Sequence, residues 1–200
     1  MDWIKAQEWE KWWWGTCINS LFEEEKQIIY AKKMGLDLVG NEKTPYVFDL
    51  HGASILDIGG GATSLLLKCV NFTGEVLDPL PMPEWVKERY HEAGIDLIQE
   101  KAEAILNEVT FCDKEASYDE VWIYNVLQHT ESPKMVIDNA KQLGKIIRIF
   151  EWLNTPISDG HLHTITKEQL NEWLGGEGKV EVMNTRPTIG IAYYGIFKTR

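Results

Sequence analysis

The sequence predicts an α/β fold: an open, doubly wound, mostly parallel sheet of seven strands with a C-terminal antiparallel hairpin and an N-terminal helical cap. Three observations predict it. From Ala53 onward, short apolar runs alternate five times with amphipathic stretches, the rhythm of strands and crossover helices. Gly59-Gly60-Gly61 follows the first apolar run directly, as a turn from strand into helix would. The tail offers two strand-like runs, 180–183 and 189–197, joined by a turn segment containing Arg186-Pro187.

Taken in order, residues 2–33 carry Ile18, Leu21, Phe22, Ile28 and Ile29 at helical spacing, and Gly35 ends this section. Residues 41–52, with Pro45 and Gly52, read as a linker, so the chain divides into a cap over 1–40 and a sheet core over 41–200. Ser54-Ile55-Leu56-Asp57-Ile58 is apolar enough for a strand buried on both faces, and residues 62–70 read as the helix after it. Glu75-Val76-Leu77-Asp78 is a second strand. Pro83 suits the first turn of a helix whose Trp85, Val86 and Tyr90 face inward and whose end is Gly94. Ile95-Asp96-Leu97-Ile98 and Val121-Trp122-Ile123-Tyr124 supply strands three and four. Ser132-Pro133 starts a helix that stops at Gly144, and residues 145–150 form strand five. Thr166 and Gln169 make a capping box for a helix closed by Gly175-Gly176.

Composition narrows the function. Twenty Lys plus Arg against 31 Asp plus Glu give a net charge of −11, with no clustered basic run, which argues against nucleic acid and anionic membranes as partners. Cys17, Cys69 and Cys112 are an odd, scattered set without a CxxC pair, as expected of buried thiols in a reducing compartment. No stretch approaches the roughly 20 apolar residues of a membrane helix, and the start lacks the pattern of a signal peptide. A cytoplasmic location is the expectation.

In a doubly wound sheet the ligand lies at the carboxyl ends of the strands. Asp57-Ile58-Gly59-Gly60-Gly61 and Asp78 fall at two such ends, 21 residues apart from aspartate to aspartate. A carboxylate at the second position can accept hydrogen bonds from two ribose hydroxyls, so the pairing points to a nucleotide-like ligand. A dinucleotide fingerprint wants a third glycine where Ser64 stands, and Asp57 would repel a pyrophosphate but suits an ammonium.

The stretch from about Ile55 to Leu174 resembles the class I S-adenosylmethionine-dependent methyltransferases of the small-molecule type, as a divergent member. The resemblance rests on Leu56-Asp57-Ile58-Gly59-Gly60-Gly61, on Asp78, and on Tyr118-Asp119-Glu120-Val121-Trp122-Ile123-Tyr124-Asn125-Val126-Leu127-Gln128-His129, similar to a fourth-strand motif ending in Leu-x-His. It departs from the family at Thr63 and Gly144, and at Glu100 and Lys101 beside the matching Ala102 and Glu103. The resemblance implies a Rossmann-like fold with S-adenosylmethionine as cofactor. Asp57, Gly59, Gly60 and Gly61 would cradle its methionine part and Asp78 its ribose. Pro79, Leu80, Ala102 and Glu103 would line the adenine pocket, and Asn125 and Val126 would complete the site. The expected reaction is in-line methyl transfer to an oxygen, nitrogen or carbon of a small molecule.

His129, His161 and His163 are the candidates for a base, each with the alternative of holding a loop; without a matching Cys or carboxylate cluster they do not suggest a metal site. Five of the nine tryptophans lie in the first 14 residues. Trp9, Trp12 and Trp13 share one helical face and could pack the cap onto the sheet, or the cluster could be a lid, with Trp13 or Trp14 reaching the substrate pocket. Tyr30, Cys17 and Cys69 read as core, and Glu23-Glu24-Glu25 as a solvated helix face. A nicotinamide-dependent oxidoreductase and a non-catalytic cofactor-binding or interaction module are the competing readings. The acceptor and the oligomeric state are left open.

Overall fold

The computed structural model describes residues 3–15, 17–41, 44–107, 118–185 and 189–199. Cys112 and the turn residues Arg186 and Pro187 lie outside the described residues. Two helices, α1 (Trp3–Trp14) and α2 (Cys17–Lys33), precede the sheet, with Gly15 between them. Then follow β1 (Leu38–Asn41), β2 (Thr44–Ile58), β3 (Cys69–Leu77), α3 (Glu84–Glu92), β4 (Ile95–Ile98), β5 (Tyr118–Tyr124), α4 (Pro133–Leu143), β6 (Gly144–Leu153), α5 (Lys167–Leu174), β7 (Lys179–Asn184) and β8 (Ile189–Lys198).

The strand order is β4-β3-β2-β5-β6-β8-β7, parallel from β4 to β6 and antiparallel through β8 and β7. This is the doubly wound sheet with a terminal hairpin that the sequence predicts, enlarged by β1, which pairs antiparallel with the start of β2. Two apolar clusters cover its faces. Tyr30, Met34, Val86 and Tyr90 from α2 and α3 join Trp122 and Phe150 on one side. Val136, Ile137 and Ala140 of α4 and Leu170 and Leu174 of α5 join Ile123 and Ile149 on the other.

Three expectations are corrected. Residues 41–52 are not a linker: β2 begins at Thr44, with Phe48 and Leu50 buried at alternate positions, as a strand packed on one face requires. Pro45 and Gly52 hid it, and Gly52 sits instead at an irregularity where His51 (φ 54°) and Gly52 (φ 85°) bulge between Asp49 and Ala53. Residues 62–70 do not form a helix. Only a 3-10 turn, Leu65–Lys68, connects β2 to β3, capped by the Ser64 side chain, which accepts from Leu66 N, and Cys69 already pairs with Phe48. Trp85 is half exposed, while Val86 and Tyr90 do face inward. The capping box at Thr166 and Gln169 and the left-handed stop at Gly175 (φ 76°) bound α5 as expected.

A polar cluster ties the end of α2 to the sheet, in addition to the contacts of Tyr30 with Trp152 and of Lys33 with Glu181. The Arg148 guanidinium on β6 holds Glu120 of β5 bidentately (Nε to Oε2 2.6 Å, Nη2 to Oε1 2.7 Å), and its Nη1 donates to Met34 O at 2.7 Å. The Trp122 indole also donates to Glu120 Oε2. Both charged side chains are about 85% buried (15% and 13% exposed), so removing one strands the other. Glu120→Ala should therefore cost about 3 kcal/mol in urea unfolding, and Glu120→Gln less; a midpoint unchanged in both would show that the cluster carries no stability.

Candidate functional site

A pocket of about 550 Å³ opens at the carboxyl ends of β2, β3 and β5, roofed by α1. Its floor begins at the turn after β2. Gly59 has φ +73°, and a Cβ there would lie 2.1 Å from Val126 Cγ2, so only glycine lets the turn pass beneath the β5 loop. Gly59 N donates to Leu77 O. Gly61 (φ +58°) lies under the Trp14 indole, and Gly60 packs against Asp57 and Val76.

Asp57 is fully buried and holds this turn from below. Its Oδ2 accepts from Ser64 Oγ and Tyr124 Oη, both at 2.5 Å. Tyr124 Oη accepts from Leu65 N, while Tyr90 Oη accepts from Ser64 N and donates to Gly61 O. Burial pushes the Asp57 carboxyl up to about 7 against these donors. Its Oδ1 has no partner among the described residues. Asp57 therefore serves the turn and is not part of the pocket wall.

Asp78, at the end of β3, does line the pocket. It accepts from Gly61 N (3.0 Å) and Leu80 N (2.9 Å), and burial raises it to about 6. Pro79, Leu80, Ala102 and Glu103 stand beside it on the wall. Glu103 accepts from Ser132 N, and the Lys101 ammonium lies 3.7 Å from the Trp3 ring centroid. After β5, Asn125 (φ 54°) and Val126 form the opposite wall. Their turn is fixed by Glu151 of β6, whose Oε1 accepts from Val126 N and Leu127 N at 2.9 Å each. Burial lifts Glu151 to about 7.

The tryptophan-rich helix packs on the loops at the carboxyl end of the sheet, and Trp14 also packs against the apolar cluster that holds Trp122 and Phe150. Trp9 and Trp13 stack at 5.1 Å, Trp9 lies on Gly160, and Trp14 lies on Gly61. Trp3, Trp9, Trp13 and Trp14 all line the pocket, while Trp12, 61% exposed, meets the Trp9 and Trp13 rings from outside it. Glu10 Oε1 lies 2.9 Å from His129 Nδ1, and Gly160 O, 2.6 Å from the same nitrogen, accepts the hydrogen bond from its N–H. Charge attraction thus joins α1 to the β5 loop. Burial pulls the His129 imidazole down, but Glu10, Gly160 and Glu151 together leave it above its ordinary value. The His161 ring meets His129 edge-on at 4.9 Å and is depressed to about 4, by burial and then by His129.

Of the site residues expected from the sequence, the pocket gathers Gly59, Asp78, Pro79, Leu80, Ala102, Glu103, Asn125, Val126, Trp13, Trp14, His129 and His161. Asp57, Gly60, Gly61 and His163 stand off its wall, and His163 Nε2 meets the Thr130 and Glu131 carbonyls. The sequence reading missed Glu10, Glu23, Lys26 and Gln128 on the wall, and Glu151 behind it. Glu151 left a signal, a lone carboxylate between Phe150 and Trp152 in an apolar strand. Glu23 is buried, contrary to the solvated face expected for it. Among the described residues no cluster of three metal-ligating side chains occurs, and no helix is long and apolar enough to cross a membrane.

No family model matches this sequence, and no curated protein does. Solved structures do. An S-adenosylmethionine-dependent methyltransferase from Aquifex aeolicus aligns over 98% of this chain and 99% of its own, at 16% identity and a TM-score of 0.57. The 1,6-didemethyltoxoflavin-N1-methyltransferase of Burkholderia thailandensis, solved with 1,6-didemethyltoxoflavin and S-adenosylhomocysteine, aligns over 74% and 71%, at 15% identity and 0.54. The N-methyltransferase NodS of Bradyrhizobium japonicum, bound to S-adenosylhomocysteine, aligns over 73% and 77%, at 14% identity and 0.50. The chain has the class I S-adenosylmethionine-dependent methyltransferase fold, in a sequence far diverged from the proteins that share it.

Proposed function

We propose that the protein is an S-adenosylmethionine-dependent methyltransferase acting on a small molecule. The observation that carries this reading is Asp78, a buried carboxylate at the end of β3, on the wall of a pocket roofed by four tryptophans. Two backbone donors already hold its oxygens in place, which leaves lone pairs for a diol, and Pro79 and Leu80 supply an apolar slot beside it for a base. The residues present therefore fit the nucleoside part of the cofactor. Bound there, the cofactor would supply a methyl group on a sulfonium to an acceptor lone pair, the S–CH3 bonding pair remaining on sulfur as the thioether S-adenosylhomocysteine leaves.

The chain's own part is to orient the partners and to exclude water. Trp9, Trp13 and Trp14 give the acceptor an aromatic, mostly uncharged wall. Where the acceptor must lose a proton, His161 is the residue we assign to take it, because it stays neutral on the pocket wall. His129 is engaged at Nδ1 by Glu10 and Gly160, and His163 is committed to backbone carbonyls.

Calorimetric titration with S-adenosylhomocysteine tests the cofactor. Binding is expected, weakened about tenfold or more in Asp78→Ala through the lost charge-assisted hydrogen bonds. Binding of NADH by a folded protein that ignores S-adenosylhomocysteine would replace this reading with an oxidoreductase.

The hold of α1 on the pocket has its own pH dependence. His129 is raised in the folded state, so the stability it contributes is complete below its ordinary value of about 6.5 and is lost as pH climbs through the raised one. An NMR titration of the His129 ring should give a midpoint above 6.5. In Glu10→Gln burial acts without its main opponent, and the midpoint should drop below 6.5; equal midpoints in the two proteins would mean that Glu10 does not hold His129.

A further inference from the structure

The pocket has a charged feature that the sequence reading does not account for. Glu23 and Lys26, one turn apart on α2, form an ion pair on the pocket wall, and both residues are more than nine-tenths buried. Removing two charges from water is expensive, and a single mutual contact recovers the cost only when other polar partners complete the site. Among the described residues the Lys26 ammonium has one acceptor, Glu23, for its three N–H donors. A buried pair so poorly supplied is costly to keep for stability alone.

Its position is informative. The next residue, Gln27, donates to Thr63 O, and Lys68 donates to Gln27 Oε1, so this turn of α2 lies against the loop that follows the glycines. Glu23 and Lys26 share the pocket wall with Gly59, Ile58 and Trp14. The other lysine on the wall, Lys101, is engaged with Trp3 and Glu131 beside Glu103. Asp57, which the family resemblance would give to the methionine part, is sealed beneath the turn.

We propose that Glu23 and Lys26 form the subsite for the zwitterionic amino-acid end of S-adenosylmethionine, Lys26 pairing its carboxylate and Glu23 its ammonium. This inference rests on the methyltransferase reading. Two opposite charges side by side complement a ligand that carries both charges on one carbon, and the four alternate in sign around the contact. Because the protein pair is already dehydrated and held by α2, the ligand meets a preorganised partner. The adenosine end is left to Asp78 and the apolar wall beside it.

Trimming the ligand separates the two ends. Wild type, Lys26→Met and the double variant Glu23→Gln/Lys26→Met are titrated calorimetrically with S-adenosylhomocysteine, which carries the amino-acid group, and with 5′-methylthioadenosine, which lacks it. The double variant removes both buried charges and keeps the test open if Lys26→Met alone fails to fold. Both variants should lose about tenfold or more in affinity for S-adenosylhomocysteine while holding 5′-methylthioadenosine within about twofold of wild type. Equal losses for the two ligands would mark the pair as structural and overturn the inference, as would unchanged S-adenosylhomocysteine binding. If wild type binds neither ligand, the methyltransferase reading itself falls, and this subsite with it.

Discussion

The site depends on a carboxyl group that never reaches it. Asp57 sits at the end of the central strand β2, fully buried, and takes two short hydrogen bonds from Ser64 and Tyr124. Those bonds, with Tyr90 spanning Ser64 N and Gly61 O, shape the turn between β2 and β3. In a fold of this kind a crossover helix usually anchors that turn. Here the ten residues 59–68 contain one 3-10 turn, and side chains from α3 and β5 do the anchoring. Because Asp57 is raised to about 7 by burial, its neutral form is favoured in the folded state, and its contribution to stability declines as pH rises from about 4 toward 7. A carboxyl with that cost is retained where it fixes geometry, and the geometry it fixes is the pocket floor.

The roof is built by the opposite means. α1 has no ladder and no deep apolar face: Ala6 is its buried residue, and its tryptophans lie on glycines and on one another. Gly160 and Gly61 accept the Trp9 and Trp14 rings because a Cβ at either position would collide with them. Floor and roof are joined electrostatically through Glu10 and His129, and the His129 loop is itself held by Glu151, which orders Val126 and Leu127. Three carboxyl groups from α1, β2 and β6 thus organise one end of the sheet, each through a different partner, and His161, depressed to about 4, stands beside them on the pocket wall.

Much of the fold was legible in the sequence, because periodicity and capping are local. Thr166 with Gln169, Gly175, Gly94 and the Ile-rich run of β6 all act within a few residues, and all stand where the sequence put them. Asp78 and Gly59 were legible for the same reason, as residues at strand ends. What stayed hidden was nonlocal. Pro45 and Gly52 signal a break, yet β2 runs past both because β1 and β3 pair with it on either side. Residues 62–70 have helical character, yet pairing of Cys69 with Phe48 claims them for the crossover. Glu23 reads as surface beside Glu24 and Glu25, and only the placement of α2 against the loop at Thr63 buries it.

The missing helix also bears on how a ligand can be held. A glycine loop that opens a long helix offers an anionic group backbone donors and a favourable dipole. A four-residue 3-10 turn offers little of either, and here Gly61 N is already spent on Asp78 and Ser64 N on Tyr90. A charged group bound at this end of the pocket would therefore have to be recognised by side chains. On the α2 side the wall offers Glu23 with Lys26, in a protein whose net charge of −11 makes a basic residue there the stronger attractor for a carboxylate. In the proposed subsite charge recognition falls to α2, and Arg148 ties the end of that helix to the sheet through Met34 O, one residue beyond it. The same helix thus links the stability of the cap to the electrostatics of the pocket.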